Sequence, residues 1–173
     1  MAVTFKPVAD FGEFSQPLRN IRAYLNDDCL VLDLVPRAKE PVRFPVDEDA
    51  PEYMKVILGD APREIVESDR FLRLEFSAVW GWMVHEEFAE NVAFSLPLAD
   101  WPKVPGAKHG YPIVEVIGSP WRAQVPDYQR GDNPDLCHFS IRSMTTYMDV
   151  IGWRPEGRWL DASSTPKIEL RTP

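Results

Sequence analysis

The chain has 173 residues, a length that predicts one domain over residues 1–173, and its hydrophobic content of 45% and charged content of 27% argue against wholesale disorder. Its 17 prolines, against roughly nine expected at about 5% usage, exclude long helical bundles and coiled coils. A net charge of −8 and a pI near 4.9 argue against nucleic acid or an anionic membrane surface as partner and are compatible with a basic protein partner.

The prolines mark where regular elements are expected, because three windows contain none. These proline-free windows are residues 18–35, 63–96 and 135–154. In the first window, two β-rich runs at 19–25 and 29–35 flank an Asn/Asp turn and predict a hairpin. The competing interpretation is a helix over 17–25 that Ser15 caps.

The second window carries the clearest alternation of the chain. Apolar residues occupy every second position over 72–84, which predicts one long strand with Trp80 and Trp82 on its buried face. Gly81 between them predicts a bend or a bulge. A short strand is expected at 64–66 and a helical turn at 86–91.

Farther along, the alternation changes phase, with apolar residues at odd positions up to Ile141 and at even positions from Met144. One residue of slip exchanges the faces of a strand, so a turn or bulge is predicted near 143–145. The remaining expectations are a strand at 113–117, a short helix at 120–124, polar loops at 100–110 and 126–134, and a loosely ordered tail at 161–173.

Together these segments predict a mainly β domain. Six to eight short antiparallel strands are expected to form a sandwich or a partial barrel with one or two short helices. The alternative is an α+β arrangement that contains one longer helix.

The sequence contains none of the common nucleotide-binding, hydrolase or redox motifs, so it predicts no cofactor and no metal. His85 and Glu86 begin like a zinc-protease helix, but Ala89 occupies the position of the second histidine. His85, Glu86 and His138 are the candidates for acid–base catalysis. The simpler interpretation is that His85 and Glu86 are solvated polar groups at the end of a strand. On that interpretation we predict no catalytic residue.

Two cysteines, Cys29 and Cys137, are too few for a disulfide framework. No secretion leader is recognisable, and a soluble protein of the reducing cytoplasm is therefore expected. Cys137, His138, Cys29 and His109 would supply metal ligands if the fold gathered them. Neighbours on a strand face opposite sides, however, so the preferred interpretation is a buried small thiol beside a surface imidazole.

Six tryptophans are the remaining unusual feature. Trp80 and Trp82 are assigned to the core by the alternation around them. The other four lie near prolines or bends, where partial exposure is expected, and they are the predicted binding residues: Trp101, Trp121, Trp153 and Trp159. The alternative is that they fill the ends of a sandwich.

No motif identifies a biochemical activity. The favoured hypothesis is a non-catalytic acidic module that docks a protein partner through an aromatic patch with an acidic rim, such as an inhibitor or immunity-type protein for a basic enzyme. The alternative is a small-ligand-binding protein or a hydrolase with a pocket at the end of the sheet. A purely structural subunit is the third possibility, and the oligomeric state is not predicted.

Overall fold

The structure, a computed structural model, describes residues 2–12, 14–27, 29–39, 48–58, 64–86, 98–132 and 135–164. Its strands are β1 (Thr4–Pro7), β2 (Leu18–Asn26), β3 (Cys29–Pro36), β4 (Arg70–Phe76), β5 (Val79–Glu86), β6 (Ile113–Ile117), β7 (Cys137–Arg142), β8 (Thr146–Gly152) and β9 (Glu156–Asp161). The helices are α1 (Glu52–Leu58) and α2 (Asp127–Asp132), with 3₁₀ turns at Leu98–Asp100, Arg122–Gln124 and Ala162–Ser164.

Two antiparallel sheets form a sandwich-like fold. The five-stranded sheet has the order β1-β6-β7-β8-β5, and the four-stranded sheet has the order β2-β3-β4-β9. Apolar side chains of both sheets meet between them, for example Phe76 of β4 and Phe139 of β7, whose ring centroids are 5.7 Å apart. The prediction of a mainly β sandwich with short helices is confirmed.

The β2–β3 hairpin is confirmed, and the competing helix over 17–25 is wrong. Leu30, Leu32 and Leu34 alternate toward the other sheet and are fully buried. Asp27 turns the chain with a φ of 52°, a conformation that aspartate tolerates better than most residues.

The long strand over 72–84 is two strands in different sheets. β4 ends at Phe76, the chain changes sheet, and β5 begins at Val79. Leu72 and Leu74 are core residues as predicted, but Trp80 and Trp82 are exposed, so their assignment to the core is wrong. The register shift between Val79 and Gly81 confirms the bulge.

The turn between β7 and β8 and the strand at 113–117 are also confirmed. The Ser143 hydroxyl oxygen accepts the backbone N–H of Thr146 at 2.9 Å and of Thr145 at 3.3 Å. The short helix expected at 120–124 is a 3₁₀ turn over Arg122–Gln124.

Several predicted segments differ from the structure. Residues 126–134, predicted as a loop, contain α2, and residues 64–66 contribute no strand. Most of the helical turn expected at 86–91, and the tail beyond residue 164, lie outside the described residues. The start of that tail, residue 161, is the end of β9.

Beyond the core between the sheets, a second apolar cluster covers the outer face of the five-stranded sheet. Its buried members are Trp121, Val125, Leu136 and Ile151. Both faces of this sheet are therefore covered in its middle. None of the helices described is long and apolar enough to cross a membrane.

Candidate functional site

A buried polar cluster lies on the outer face of the five-stranded sheet, beneath Trp121. His138 of β7 and Asp149 of β8 point there because their neighbours Phe139 and Val150 point into the core. His138 is 1% exposed and Asp149 is 3% exposed. The prediction that His138 is a surface imidazole is therefore wrong.

A chain of hydrogen bonds connects this cluster to the turn after β6. The Ser119 hydroxyl accepts the backbone N–H of Arg122 at 3.0 Å and lies 2.7 Å from Nδ1 of His138. Since the Ser119 hydroxyl has its own proton to donate, we assign Nδ1 as the acceptor, and Nε2–H then donates to Asp149 Oδ1 at 3.0 Å.

His85 of β5 approaches the other oxygen of the same carboxylate. Its Nε2 is 3.2 Å from Asp149 Oδ2, a distance typical of an ion pair, but the angle does not meet hydrogen-bond geometry. Burial raises the pKa of Asp149, but hydrogen bonds from His138 and Ser140, together with the electrostatic interaction with His138 and His85, outweigh burial and hold this pKa below its usual value.

The order Ser119–His138–Asp149 matches the nucleophile, base and orienting carboxylate of acyl-transfer sites. It differs in that the serine contacts Nδ1 and the carboxylate contacts Nε2, the reverse of the serine-protease arrangement. Ser119 is only 6% exposed, and the Trp121 ring packs edge-on against His138 with centroids 5.3 Å apart. The hydrogen-bonded residues Ser119, His138 and Asp149 thus form a buried network that ties β7, β8 and the turn after β6 together.

A groove of about 610 Å³ opens at the end of the same sheet, where β6 and β8 end and β7 begins. Cys137, His138 and Trp153 are among its lining residues. Burial, with a smaller contribution from Glu115, raises the pKa of the Cys137 thiol to about 11, so the sulfur is protonated at neutral pH. Arg154, which also lines the groove, is held by Asp10 at 2.9 Å.

Two exposed tryptophans lie on β5. We call the surface formed by four exposed residues the β5 surface: Leu25, Trp80, Trp82 and Val84. Trp80 and Trp82 line a groove of about 400 Å³ with Leu25 of the neighbouring hairpin. Trp80 is held in place, since its indole N–H donates to Gln129 Oε1 at 2.7 Å.

Gly81 lets this strand pass closely over the buried Trp121. A Cβ atom at Gly81 would lie 3.4 Å from a ring carbon of Trp121. Trp80 in turn packs edge-on against Trp121, with ring centroids 6.3 Å apart. Trp80 of the β5 surface therefore packs on the second apolar cluster.

The four tryptophans predicted to bind do not share a patch. Trp101 and Trp159 are half-buried, and their indole N–H groups donate to the carbonyl oxygens of Tyr111 and Phe11 at 2.9 and 2.8 Å. Trp121 is buried, so the prediction of its partial exposure is wrong, whereas Trp153 is exposed. Their role in binding stays a prediction.

The remaining sequence candidates are dispersed. Both cysteines are free thiols, and among the described residues no group of three or more His, Cys, Asp or Glu side chains is arranged to hold a metal ion. Glu86 ends β5, and its side chain lies outside the described part of the structure. Comparison with family models, curated proteins and solved structures finds no match to this chain.

Proposed function

We propose that the chain is a non-catalytic protein-binding module whose interface is the β5 surface. The observation that carries this proposal is the exposure of two tryptophans and a valine on one edge strand, Trp80, Trp82 and Val84. Exposed apolar side chains that lie near one another mark interaction sites more often than single exposed apolar side chains do. Tryptophan is also the residue type most enriched among the energetic anchors of interfaces.

The backbone of β5 supports binding of an extended segment. β5 is the last strand of its sheet, and no strand of the described segments pairs with its outer edge. An added strand would bond to the N–H and C=O groups along that edge. The groove beside Trp80 and Trp82 would receive alternate side chains of the added strand, which gives the interaction its specificity.

Charge indicates the chemistry of the partner. The chain carries a net charge of −8, and Asp27 lies two residues beyond Leu25, at the tip of the hairpin that borders the groove. A strand that carries lysine or arginine would be attracted by this field and would place its cations over the indole rings. An inhibitor or immunity-type protein that neutralises a basic enzyme in the cytoplasm fits this description.

Affinity capture from the native host tests the proposal with a matched pair of variants. Trp80→Ala/Trp82→Ala removes the aromatic surface. Trp153→Ala is the control, because Trp153 is 42% exposed, close to the 43% of Trp82, but lies in the groove at the sheet end. We expect one partner that the wild type and the control retain and that the double variant loses.

Two further readouts separate the proposed interface from adhesion to exposed tryptophan. Crosslinks from the partner should fall on β5 and on the β2–β3 hairpin, and binding should weaken as salt rises, because the attraction to a basic partner is screened. If the double variant retains the same partner as the wild type, β5 is not the interface. A partner that binds equally at low and high salt would contradict the charge argument.

The second candidate is a hydrolase, which the hydrogen-bonded order Ser119–His138–Asp149 favours. The burial of Ser119 opposes it, since a substrate carbonyl must come within about 3–3.5 Å of the nucleophile. A fluorophosphonate probe and p-nitrophenyl acetate test this candidate. Labelling that Ser119→Ala abolishes would support hydrolysis, and absence of both labelling and turnover would exclude acyl transfer at this serine.

A further inference from the structure

Arg142 is a half-buried cation for which the described residues supply no anion. Its guanidinium packs over two aromatic rings, 3.8 Å from the centroid of Trp101 and 4.8 Å from that of Tyr147. Its Nε is buried without a hydrogen-bond partner, and no ion pair joins its guanidinium to a described carboxylate. The nearby Asp149 is instead paired with His138, whose Nε2 lies 3.0 Å from Asp149 Oδ1.

Several other arginines of the described residues have a carboxylate partner. Arg73 forms a two-pronged pair with Asp33, at 2.7 and 2.8 Å, and Arg154 is held by Asp10. Burial lowers the pKa of Arg142, which reflects the poor solvation of its charge. A buried donor without an acceptor is destabilising, so an anion that supplied acceptors would be bound favourably.

The guanidinium faces a cavity of about 200 Å³ at the end of the five-stranded sheet opposite the Cys137 groove. Apart from Arg142, the walls are mostly aromatic or apolar and include Leu18, Trp101, Met144 and Tyr147. His109 adds a ring whose Nε2 is 3.3 Å from the carbonyl oxygen of Phe14. This volume is below the roughly 300–1,000 Å³ of drug-sized sites and suits a small molecule.

We propose that this cavity binds a small monocarboxylate, with the carboxylate bonded in two-pronged fashion to Arg142 and the apolar part of the ligand against the aromatic walls. The planar guanidinium matches the geometry of a carboxylate. One cation balances one negative charge, and the acidic chain disfavours ligands of higher charge. The proposal is independent of the β5 surface, which lies on another strand.

The loop before β6 holds the site in its binding geometry. The Trp101 indole is fixed by its bond to the Tyr111 carbonyl oxygen, and the backbone of Tyr111 donates back to the carbonyl oxygen of Pro102 at 2.9 Å. Gly110 is required there, because a Cβ atom would lie 2.5 Å from Cδ1 of Trp101. The aromatic wall is thus set before a ligand arrives, which reduces the entropy lost on binding.

Calorimetric titration with benzoate, acetate and inorganic phosphate tests the inference on the full chain. We expect saturable benzoate binding with a dissociation constant in the millimolar range, weaker binding of acetate and none of phosphate. Arg142→Lys, which keeps the charge but loses the planar fork, should weaken benzoate by about tenfold, and Arg142→Gln by more. Arg22→Gln, which removes an exposed arginine paired with Glu67, should leave the affinity unchanged.

A second measurement needs no variant and so does not depend on how the variants fold. In an NMR titration of the wild type with benzoate, the Arg142 Nε–H resonance should shift with the same saturation curve as the heat measured by calorimetry. No binding of benzoate by either readout, phosphate binding in preference to benzoate, or equal affinity in Arg142→Gln would each overturn the proposal.

Discussion

Replacing Asp149 by asparagine tests whether the buried cluster under Trp121 stabilises the fold as its geometry indicates. The carboxylate receives hydrogen bonds from His138, at 3.0 Å, and from Ser140, and lies 3.2 Å from His85 Nε2. Asparagine keeps the shape of the side chain and one oxygen acceptor but removes the charge. Hydrogen bonds to a charged group contribute about 1.5–3 kcal/mol, and we expect a loss of unfolding free energy in that range at pH 7.

The melting temperature should fall accordingly. For chains of about 150–250 residues each kcal/mol corresponds to about 2–4 °C, so the expected decrease is about 3–12 °C. Unfolding is best followed by tryptophan fluorescence, since the Trp121 ring packs on His138. Asp127→Asn is the matched control, because the Asp127 side chain is highly exposed and its ion pair with Arg130 is worth at most about 1 kcal/mol.

The sign of the pH dependence follows from the lowered pKa of Asp149. A carboxyl whose pKa is lower in the folded state than its unfolded value of about 3.9 contributes its stability above that value and loses it as the pH falls through the folded pKa. The difference between wild type and Asp149→Asn should therefore shrink in acid. An asparagine variant as stable as the wild type at pH 7, or a difference that does not change in acid, would refute this account of the cluster.

Three further predictions concern other contacts. Arg73→Met should reduce the unfolding free energy by about 3–5 kcal/mol in chemical denaturation, because Asp33 is left buried without its cation. At pH 8, alkylation of Cys137 in the folded chain should be on the order of a hundredfold slower than in the unfolded chain, because burial raises the pKa of the thiol to about 11. Mass spectrometry measures the rate of alkylation in both states. Gly110→Ala should displace Trp101, cost about 1–3 kcal/mol and weaken benzoate binding in calorimetry.

Each of these has an outcome that would contradict it. The double variant Asp33→Leu/Arg73→Met should recover most of the stability, and failure to do so would mean that packing rather than charge is lost. Equal alkylation rates in folded and unfolded chains would contradict the burial of the thiol. Gly131→Ala is the control for Gly110, since a Cβ there meets no atom within 4 Å, and a similar loss in both would refute the steric argument.

Much of the fold was predictable because its central strands follow period-two alternation. The β2–β3 hairpin and the β7–β8 turn carry that pattern with turn residues between the strands. Alternation does not, however, distinguish one long strand from two strands joined by a short crossing between sheets, which is why 72–84 was misassigned. β9 was missed because it is an edge strand whose residues are mostly exposed, so its sequence lacks an apolar face.

The candidate site was less predictable, and the reason is the second apolar layer. A sheet with one solvated face would place His138 and Asp149 in water. Here Trp121 and its neighbours cover that face, and both residues are buried. The available signals were local, namely a lone aspartate in the apolar run 148–151 and the serine before Pro120, which bonds to the N–H of Arg122.

The exposed edge of β5 raises the question whether its occupant is a second copy of the chain. An apolar edge strand invites pairing with any free edge, including its own. In a symmetric dimer, however, two chains of charge −8 would approach each other with like fields, whereas a basic partner would be attracted. We therefore expect sedimentation velocity to find a monomer at low ionic strength. Added salt would relieve repulsion between copies and screen attraction to a basic partner, so the two occupants respond to salt in opposite directions. A stable dimer at low salt that Trp82→Ala dissociates, while Trp153→Ala does not, would assign the β5 surface to self-association and contradict the proposed basic partner.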